Sequence, residues 1–360
     1  MRCWLYSLFL FALRLPVICR EKLAAESTRC FATHAHRRIW RAPLGCAVAF
    51  LSVVVSGMAQ NASSWPSARF HHSAVYDEAR KEFVIYGGYT WNQAAQKVQP
   101  ASDLWGWNGS TWNLIADTGV RKYVAPIAFD SKRQRLLMFG GAGDADLIDG
   151  KLSSLEGGKW NLVKDLPYLE RADSSMIYDS KRDRLVLFGG REQMVLFADT
   201  WEFDGSDWKP TFMAGPSLRS AAAVAYDSAR GVTVLYGGFR PLAALGDTWE
   251  WNGEKWKLVS ESGPGPRAWP GIAYDSKRKR TILFGGEDEK GHFYSDTWAW
   301  DGKNWTRISI EGPPERIQSA MGYDSSRDRV VLFGGVNDNP QHILNDVWEF
   351  DGTTWVQKLP

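Results

Sequence analysis

Apolar and polar positions repeat in one order six times between Arg69 and Pro360. Each unit opens on a short, partly apolar segment, passes through a basic turn, and enters an apolar run that closes on Gly-Gly. A Trp-containing segment, a tight turn with glycine and a last segment opening on Trp complete the unit. A period of about 40–50 residues with four short apolar segments is typical of β-propeller blades. The doublets begin 48 to 53 residues apart, at Gly87, Gly140, Gly189, Gly237, Gly285 and Gly334.

The fifth unit shows how one repeat is expected to fold. Its four segments are short, rich in β-branched and aromatic residues, and bounded by turn residues, which predicts four strands. Asp301-Gly302 supplies the positive-φ residues of a tight hairpin between the third and fourth strands, so neighbouring strands run antiparallel. The predicted strands are Arg267–Tyr274, Arg280–Phe284, Asp296–Trp300 and Trp305–Ile308.

The sequence therefore predicts an all-β fold, a six-bladed β-propeller of four-stranded antiparallel blades over residues 60–360. Fourteen of the 19 Trp residues fall in the third- and fourth-strand positions, where we expect them to pack between neighbouring sheets. The predicted blades are about 67–116, 120–164, 169–212, 217–260, 265–310 and 314–360.

Composition restricts the function classes. Residues 60–360 carry 35 Lys and Arg against 39 Asp and Glu, without a basic stripe, which argues against nucleic acid as a partner. The repeats contain no cysteine, so thiol catalysis, thiolate metal sites and disulfides are excluded there. The four cysteines all precede the repeats, at Cys3, Cys19, Cys30 and Cys46.

Residues 1–59 resemble a leader with a secretory signal. Arg37-Arg38 precedes the apolar region 44–59, which ends in small residues, so cleavage is expected near Ala59. The apolar stretch is shorter than the roughly 20 residues of a membrane-spanning helix. We therefore expect a periplasmic or secreted monomer with no stable membrane span in the mature chain.

The repeated Gly-Gly that ends an apolar strand, with a Trp opening the fourth strand, is similar to the kelch motif. Units such as 316–355 resemble the bacterial galactose-oxidase-like kelch group, and the resemblance covers nearly all of the chain after the leader. It implies the propeller fold and little about activity. The copper-radical oxidase of this fold needs a Cys beside a Tyr and two His ligands, so its activity is predicted to be absent. We expect no cofactor and no metal.

Five units open on an arginine and place an aspartate at the start of the third strand. An arginine beside an aspartate usually pairs with it, which predicts a structural girdle; a ring of anion-binding arginines is the alternative. In the second unit Lys122 replaces the arginine and Lys151 the aspartate. This unit is either a degenerate blade or a notch with two unpaired ammonium groups for an acidic ligand. The arginines are Arg69, Arg171, Arg219, Arg267 and Arg316, and the aspartates are Asp103, Asp199, Asp247, Asp296 and Asp346.

The loops that follow the Gly-Gly doublets differ from unit to unit, whereas the turns at the opposite end barely change. We call the face that carries these loops the variable face, and we expect specificity to lie there. His71, His292 and His342 belong to units that are adjacent in a closed ring and could converge. Trp91, Trp269 and Tyr294 could form a stacking wall for a sugar ring. The candidate ligand-binding residues are His71, His72, Trp91, Lys122, Lys151, Asp173, Trp269, His292, Tyr294, Gln318 and His342.

Three functions are compatible with this pattern. The first is an exported, non-catalytic kelch-repeat protein that binds a glycan or a protein through the variable face. The second is a sugar epimerase or isomerase resembling the periplasmic six-bladed kelch epimerases of sialic acid, which would need an opposed acid and base. The third is a structural envelope module whose partner is another protein. Candidate carboxylates for the second function are Asp173, Glu192, Asp288 and Glu289.

Overall fold

A computed structural model describes residues 65–309, 311–337 and 342–359. The chain divides into two units, Met1–Ala62 and Ser63–Pro360, and all the described residues lie in the second. The predicted leader and its cleavage site near Ala59 lie outside the described residues.

The described residues form 31 strands, numbered β1 to β31 in chain order, which build nine small antiparallel sheets. Six of these sheets have four strands and are called sheets I to VI. Sheet I contains β2 (Ser73–Asp77), β3 (Glu82–Tyr86), β6 (Asp103–Trp107) and β7 (Trp112–Asp117). Sheet II contains β8 (Ile127–Asp130), β9 (Arg135–Phe139), β10 (Lys151–Glu156) and β11 (Lys159–Asp165). Sheet III contains β12 (Ser175–Asp179), β13 (Arg184–Phe188), β16 (Thr200–Phe203) and β17 (Trp208–Thr211).

The other three four-stranded sheets repeat the same order, with each strand paired to the next strand of the sheet. Sheet IV contains β18 (Ala223–Asp227), β19 (Val232–Tyr236), β22 (Thr248–Trp251) and β23 (Trp256–Ser260). Sheet V contains β24 (Gly271–Asp275), β25 (Arg280–Phe284), β26 (Thr297–Trp300) and β27 (Trp305–Ser309). Sheet VI contains β28 (Ala320–Asp324), β29 (Arg329–Val336), β30 (Ile343–Phe350) and β31 (Trp355–Leu359).

Three smaller sheets are formed by the segments that connect the second and third strands of sheets I, III and IV; the one beside sheet I also includes a short strand that precedes β2. Two 3-10 helices, Asp144–Asp146 and Pro167–Leu169, are the only helical turns among the described residues. In that part of the chain, no helix is long and apolar enough to cross a membrane. The smaller sheets are β1 (Arg69–Phe70) with β4 (Tyr89–Asn92) and β5 (Lys97–Pro100), β14 (Arg191–Glu192) with β15 (Val195–Leu196), and β20 (Phe239–Arg240) with β21 (Ala243–Ala244).

The all-β prediction is therefore confirmed, and the repeated four-stranded sheets are consistent with a blade-repeat β-propeller. The first strand of each sheet contacts the first strands of two other sheets. β2 of sheet I contacts both β8 of sheet II and β28 of sheet VI. The remaining contacts between first strands join β8 to β12, β12 to β18, β18 to β24 and β24 to β28.

Tryptophans hold neighbouring sheets together, as the repeat predicts. Trp107 of sheet I is 1% exposed and donates its indole N–H to Glu349 of sheet VI at 2.9 Å. The same contact joins Trp251 to Glu202 at 2.7 Å and Trp300 to Glu250 at 3.1 Å. Because each indole buries a large apolar area and also satisfies its polar atom, these positions are structural.

The arginine girdle is confirmed. Both Nη atoms of buried Arg219 donate to the Asp247 carboxylate, at 2.6 and 2.8 Å, and Nη1 donates to the Gly237 carbonyl at 2.9 Å. Bidentate pairing of this kind satisfies a charge that burial would otherwise leave without water. The other four pairs are Arg69–Asp103, Arg171–Asp199, Arg267–Asp296 and Arg316–Asp346.

The notch with two unpaired ammonium groups is wrong. The Nζ atom of Lys122 donates to Asp149 at 2.8 Å and to the Gly141 carbonyl at 3.3 Å, and Lys122 is buried. In the other units the carboxylate comes from the position that Lys151 occupies here. In this unit it comes from Asp149, two residues earlier, and the repeat spacing does not reveal this change of position. Lys151 is exposed at the start of β10.

The first strand predicted for the fifth unit, Arg267–Tyr274, is too long, because β24 begins at Gly271. Trp269 has a φ of 52°, in the left-handed region, which interrupts extended pairing. The other three predicted strands of this unit agree with the structure to within one residue at each end.

Candidate functional site

The residue two positions after each opening arginine or lysine has a left-handed backbone. Six non-glycine residues share this conformation, with φ between 47° and 57°. A left-handed non-glycine residue costs roughly 1–3 kcal/mol and persists only where surrounding structure holds it, often at functional sites. We call this set the left-handed ring; its members are His71, Val124, Asp173, Ala221, Trp269 and Gln318.

Backbone hydrogen bonds link successive members of the left-handed ring. The N–H of Val124 donates to the His71 carbonyl at 3.0 Å, and the N–H of Asp173 donates to the Val124 carbonyl at 3.2 Å. Ala221, Trp269 and Gln318 continue the chain, each donating to the member of the preceding unit. These bonds pair backbone N–H and carbonyl groups of successive units. They place one side chain from each unit at the same height around the ring.

The left-handed ring surrounds a cavity of about 180 Å³, which we call the first-strand cavity. A dry cavity of about 150 Å³ holds a benzene ring, so this space accommodates one six-membered ring. The polar members of the ring all line it, together with small residues from the following position. The lining residues are His71, His72, Ser73, Val124, Pro126, Asp173, Ser174, Ala221, Ala222, Trp269, Pro270, Gln318 and Ser319.

Trp269 provides the aromatic surface of the first-strand cavity. Its ring stacks on Phe239, with centroids 6.3 Å apart and an interplanar angle of 18°. The His71 ring meets its edge, with centroids 6.3 Å apart at 74°. Phe239 directly follows a Gly-Gly doublet, so a residue of the variable face orients the indole.

A buried ion pair lies beside the cavity. The Nε atom of Arg191 donates to Asp173 Oδ2 at 2.7 Å, and the Asp173 side chain is only 6% exposed. The coulombic attraction of Asp173 raises the pKa of Arg191 above its ordinary value. Arg191 belongs to β14, directly after the third Gly-Gly doublet, so the variable face neutralises this carboxylate.

A second carboxylate near this pair is held by two tyrosines. Tyr123 donates its hydroxyl to Asp146 Oδ1 at 2.5 Å, and Tyr89 donates to the same oxygen at 3.2 Å. The two phenol rings pack together, with centroids 4.2 Å apart. Burial raises the pKa of Tyr89 to about 12, so it remains a hydrogen-bond donor at neutral pH.

Both histidines of the first-strand cavity are neutral at pH 7. Burial lowers the pKa of His71 to about 4, although the Asp173 charge opposes the shift. Burial and the neighbouring Arg69 guanidinium lower the pKa of His72 well below its ordinary value. Neither ring nitrogen of His72 has a hydrogen-bond partner among the described residues.

The lowered pKa of His71 predicts how the free energy of unfolding depends on pH. Because the pKa of His71 falls from 6.5 to about 4 on folding, its contribution is intact above pH 6.5 and is lost as pH falls toward 4. The lost stability amounts to about 3 kcal/mol. The variant His71→Asn, which tolerates the left-handed backbone, should lose correspondingly less stability across that interval. Chemical denaturation at pH 7 and pH 4.5 measures it.

The exposed His292→Asn variant is the matched control and should keep the pH dependence of the native protein. Parallel pH profiles for His71→Asn and the native protein would show that His71 is not desolvated.

Several predicted site residues lie away from the first-strand cavity. Trp91 is 44% exposed on β4 and does not line it. Tyr294 covers buried Arg267, whose guanidinium carbon lies 3.9 Å from the ring centroid. His292 is exposed beside Asp288, and His342 is also exposed. Trp269 contacts the rings of His71 and Phe239, and Tyr294 contacts the ring of His292; the stacking wall of Trp91, Trp269 and Tyr294 stays a prediction.

The suggested convergence of His71, His292 and His342 is also not found. Within residues 65–309, 311–337 and 342–359, no group of three or more His, Cys, Asp or Glu side chains lies together as metal ligands would. His71 contacts Trp269, whereas His292 contacts Tyr294, with ring centroids 4.7 Å apart.

Five of the predicted residues do come together around the cavity: His71, His72, Asp173, Trp269 and Gln318. Sequence reasoning missed Arg191, Phe239 and Ser174. One signal could have found part of this set, since the position two residues after the opening arginine or lysine differs in every unit, whereas the opening basic residue and the aspartate eight positions after it repeat. Arg191 and Phe239 give no such signal, because they lie in loops of unequal length.

The chain matches no protein-family model, and no curated protein has a matching sequence. The functional argument therefore rests on the geometry of the first-strand cavity and on the repeat itself.

Proposed function

We propose that this protein is an exported six-bladed β-propeller of kelch type that binds a carbohydrate ring in the first-strand cavity. Six units, six four-stranded sheets and contacts between first strands that return from sheet VI to sheet I support the six-bladed ring. The basic and apolar regions of residues 37–59 support export to a periplasm or beyond the cell. The repeated Gly-Gly and Trp positions support the kelch assignment.

The observation that carries the binding proposal is the composition of the left-handed ring. Trp269 lines a cavity of one-ring size, and the polar residues His71, Asp173 and Gln318 line it from the same repeat position. A sugar has an apolar face that stacks on an aromatic ring and hydroxyl groups that need polar partners. A role in placing these side chains is consistent with the backbone cost of their left-handed conformation.

The test is calorimetric titration of the purified protein with methyl glycosides of glucose, galactose, mannose and N-acetylglucosamine. At least one should bind, and Trp269→Ala should weaken its binding at least about tenfold because the stacking surface is lost. The matched control Trp91→Ala removes an exposed indole outside the cavity and should leave the affinity unchanged. Equal effects of the two variants would contradict the proposed site.

A protein partner is the second candidate, and the tips of three loops on the variable face favour it. Leu147, Val195 and Leu242 are 71%, 59% and 82% exposed and follow the second, third and fourth doublets. Exposed apolar side chains in neighbouring loops are typical of protein-binding surfaces. If no sugar binds, Leu147→Ser and Leu242→Ser are the variants expected to weaken a protein interaction.

The epimerase alternative is less well supported by the geometry. A general base works best with a pKa near the operating pH, whereas the pKa of His71 is about 4. Asp173 Oδ2 accepts a hydrogen bond from Arg191 Nε at 2.7 Å, so this oxygen is engaged by the arginine and not by a ligand. Incubation of a bound sugar in D2O, followed by proton NMR, should show no exchange of ring C–H protons.

A further inference from the structure

The residues that line the first-strand cavity carry four buried side-chain polar atoms without a hydrogen-bond partner among the described residues, and all four are neutral. They are the two ring nitrogens of His72, the hydroxyl of Ser174 and the indole N–H of Trp269, each buried and without a hydrogen-bond partner among the described residues. A neutral imidazole has one donor and one acceptor nitrogen. A ligand hydroxyl both donates and accepts hydrogen bonds, so it can satisfy donor and acceptor atoms alike. A carboxylate can only accept hydrogen bonds and an ammonium group can only donate them.

The charges beside the cavity are balanced in a way that opposes ions of either sign. An anionic ligand would meet the Asp173 carboxylate, and the Arg191 guanidinium that could attract it is already paired with that carboxylate. A cationic ligand would meet Arg191 beside the cavity, and the Asp173 carboxylate that could attract it is already paired with that guanidinium. Burying an unpaired charge is far more costly than burying a hydroxyl that is hydrogen-bonded.

Resting on the proposed carbohydrate site, we infer that the first-strand cavity selects an uncharged sugar ring and that the Asp173–Arg191 pair sets this selectivity. Asp173 cancels the guanidinium that would otherwise attract a sugar acid. Arg191 in turn cancels the carboxylate that would otherwise attract an amino sugar. The ion pair is thus a specificity determinant that acts on the charge of the ligand.

Matched probes test this selectivity on the native protein: methyl glucoside, methyl glucuronide and methyl glucosaminide, with the corresponding galactose series, titrated at pH 6, where the acid is ionised and the amine is protonated. The uncharged member of the series that binds should do so at least tenfold more tightly than its acid and its amine. A glucuronide or galacturonide that binds as tightly as the uncharged sugar would overturn the inference and leave the carbohydrate site standing. Failure of every probe would overturn the proposed function itself.

Two variants assign the selectivity to the ion pair. Asp173→Asn keeps a residue that tolerates the left-handed backbone and leaves the Arg191 charge uncancelled. We expect the ratio of uronide to neutral affinity to rise at least tenfold. Arg191→Gln should raise the ratio of amino-sugar affinity to neutral-sugar affinity.

Glu254→Gln and Lys255→Gln make the same charge changes at exposed positions of a distant turn and should leave both ratios unchanged. Ratios that respond equally to the distant variants would assign the effect to net charge and contradict the role of the pair. Because each ratio compares two ligands on one variant, a general loss of stability does not imitate the result.

Discussion

Replacing Arg316 with methionine is expected to lower the free energy of unfolding by about 3–5 kcal/mol, because Asp346 then keeps a buried charge without its partner. In the native chain Arg316 is fully buried, and its two Nη atoms donate to Asp346 at 2.7 and 2.8 Å. Nη1 also donates to the Gly334 carbonyl at 3.0 Å, which ties the girdle to the glycine doublet. Guanidinium denaturation followed by far-ultraviolet circular dichroism measures the change.

Arg240→Met removes an exposed arginine and should change stability by less than about 0.5 kcal/mol. The double variant Arg316→Met with Asp346→Leu should recover part of the loss, since both charges are then absent. A loss below about 1 kcal/mol for the single variant would contradict the girdle.

Replacing Trp107 with alanine is expected to cost about 3–5 kcal/mol, the usual range for a buried tryptophan. Trp107 is 1% exposed and packs with Phe333 and Val347 of sheet VI in one hydrophobic cluster. Its indole N–H donates to Glu349 of the same sheet, so the variant also removes a hydrogen bond from a buried carboxylate. Denaturation curves again provide the measurement.

The Trp107→Ala variant tests the packing between sheet I and sheet VI. Trp107→Phe should cost less, about 1–3 kcal/mol, since it mainly removes the hydrogen bond. The exposed Trp91→Ala should be nearly neutral. If Trp107→Ala were nearly neutral as well, sheets I and VI would not pack against each other in solution, and the six-bladed ring would be wrong.

The strands could be predicted because their limits are set by local chemistry. Gly285-Gly286 ends β25 where a Cβ on Gly285 would lie 2.6 Å from the Arg316 carbonyl, and Asp301-Gly302 sets the next hairpin. The start of β24 was mispredicted because Trp269 is left-handed, a conformation imposed by the ring of backbone hydrogen bonds between units. Local propensity carries no information about such bonds.

The site could be predicted only where the repeat fixes it. His71, Asp173, Trp269 and Gln318 occupy the same repeat position, so they lie at one level of the cavity. The loops after the doublets differ in length from unit to unit, so the repeat does not place Trp91 and Tyr294 relative to Trp269. The pairing of Asp173 with Arg191 depends on the path of one loop and could not be read from spacing.

The most direct test of the carbohydrate site is a crystal structure of the protein with the methyl glycoside that binds most tightly. The account predicts one sugar ring in the first-strand cavity, stacked on Trp269, with its hydroxyl groups within hydrogen-bond distance of His72 or Ser174. A saturated crystal in which the glycoside lies elsewhere, with only water beside Trp269, would contradict it.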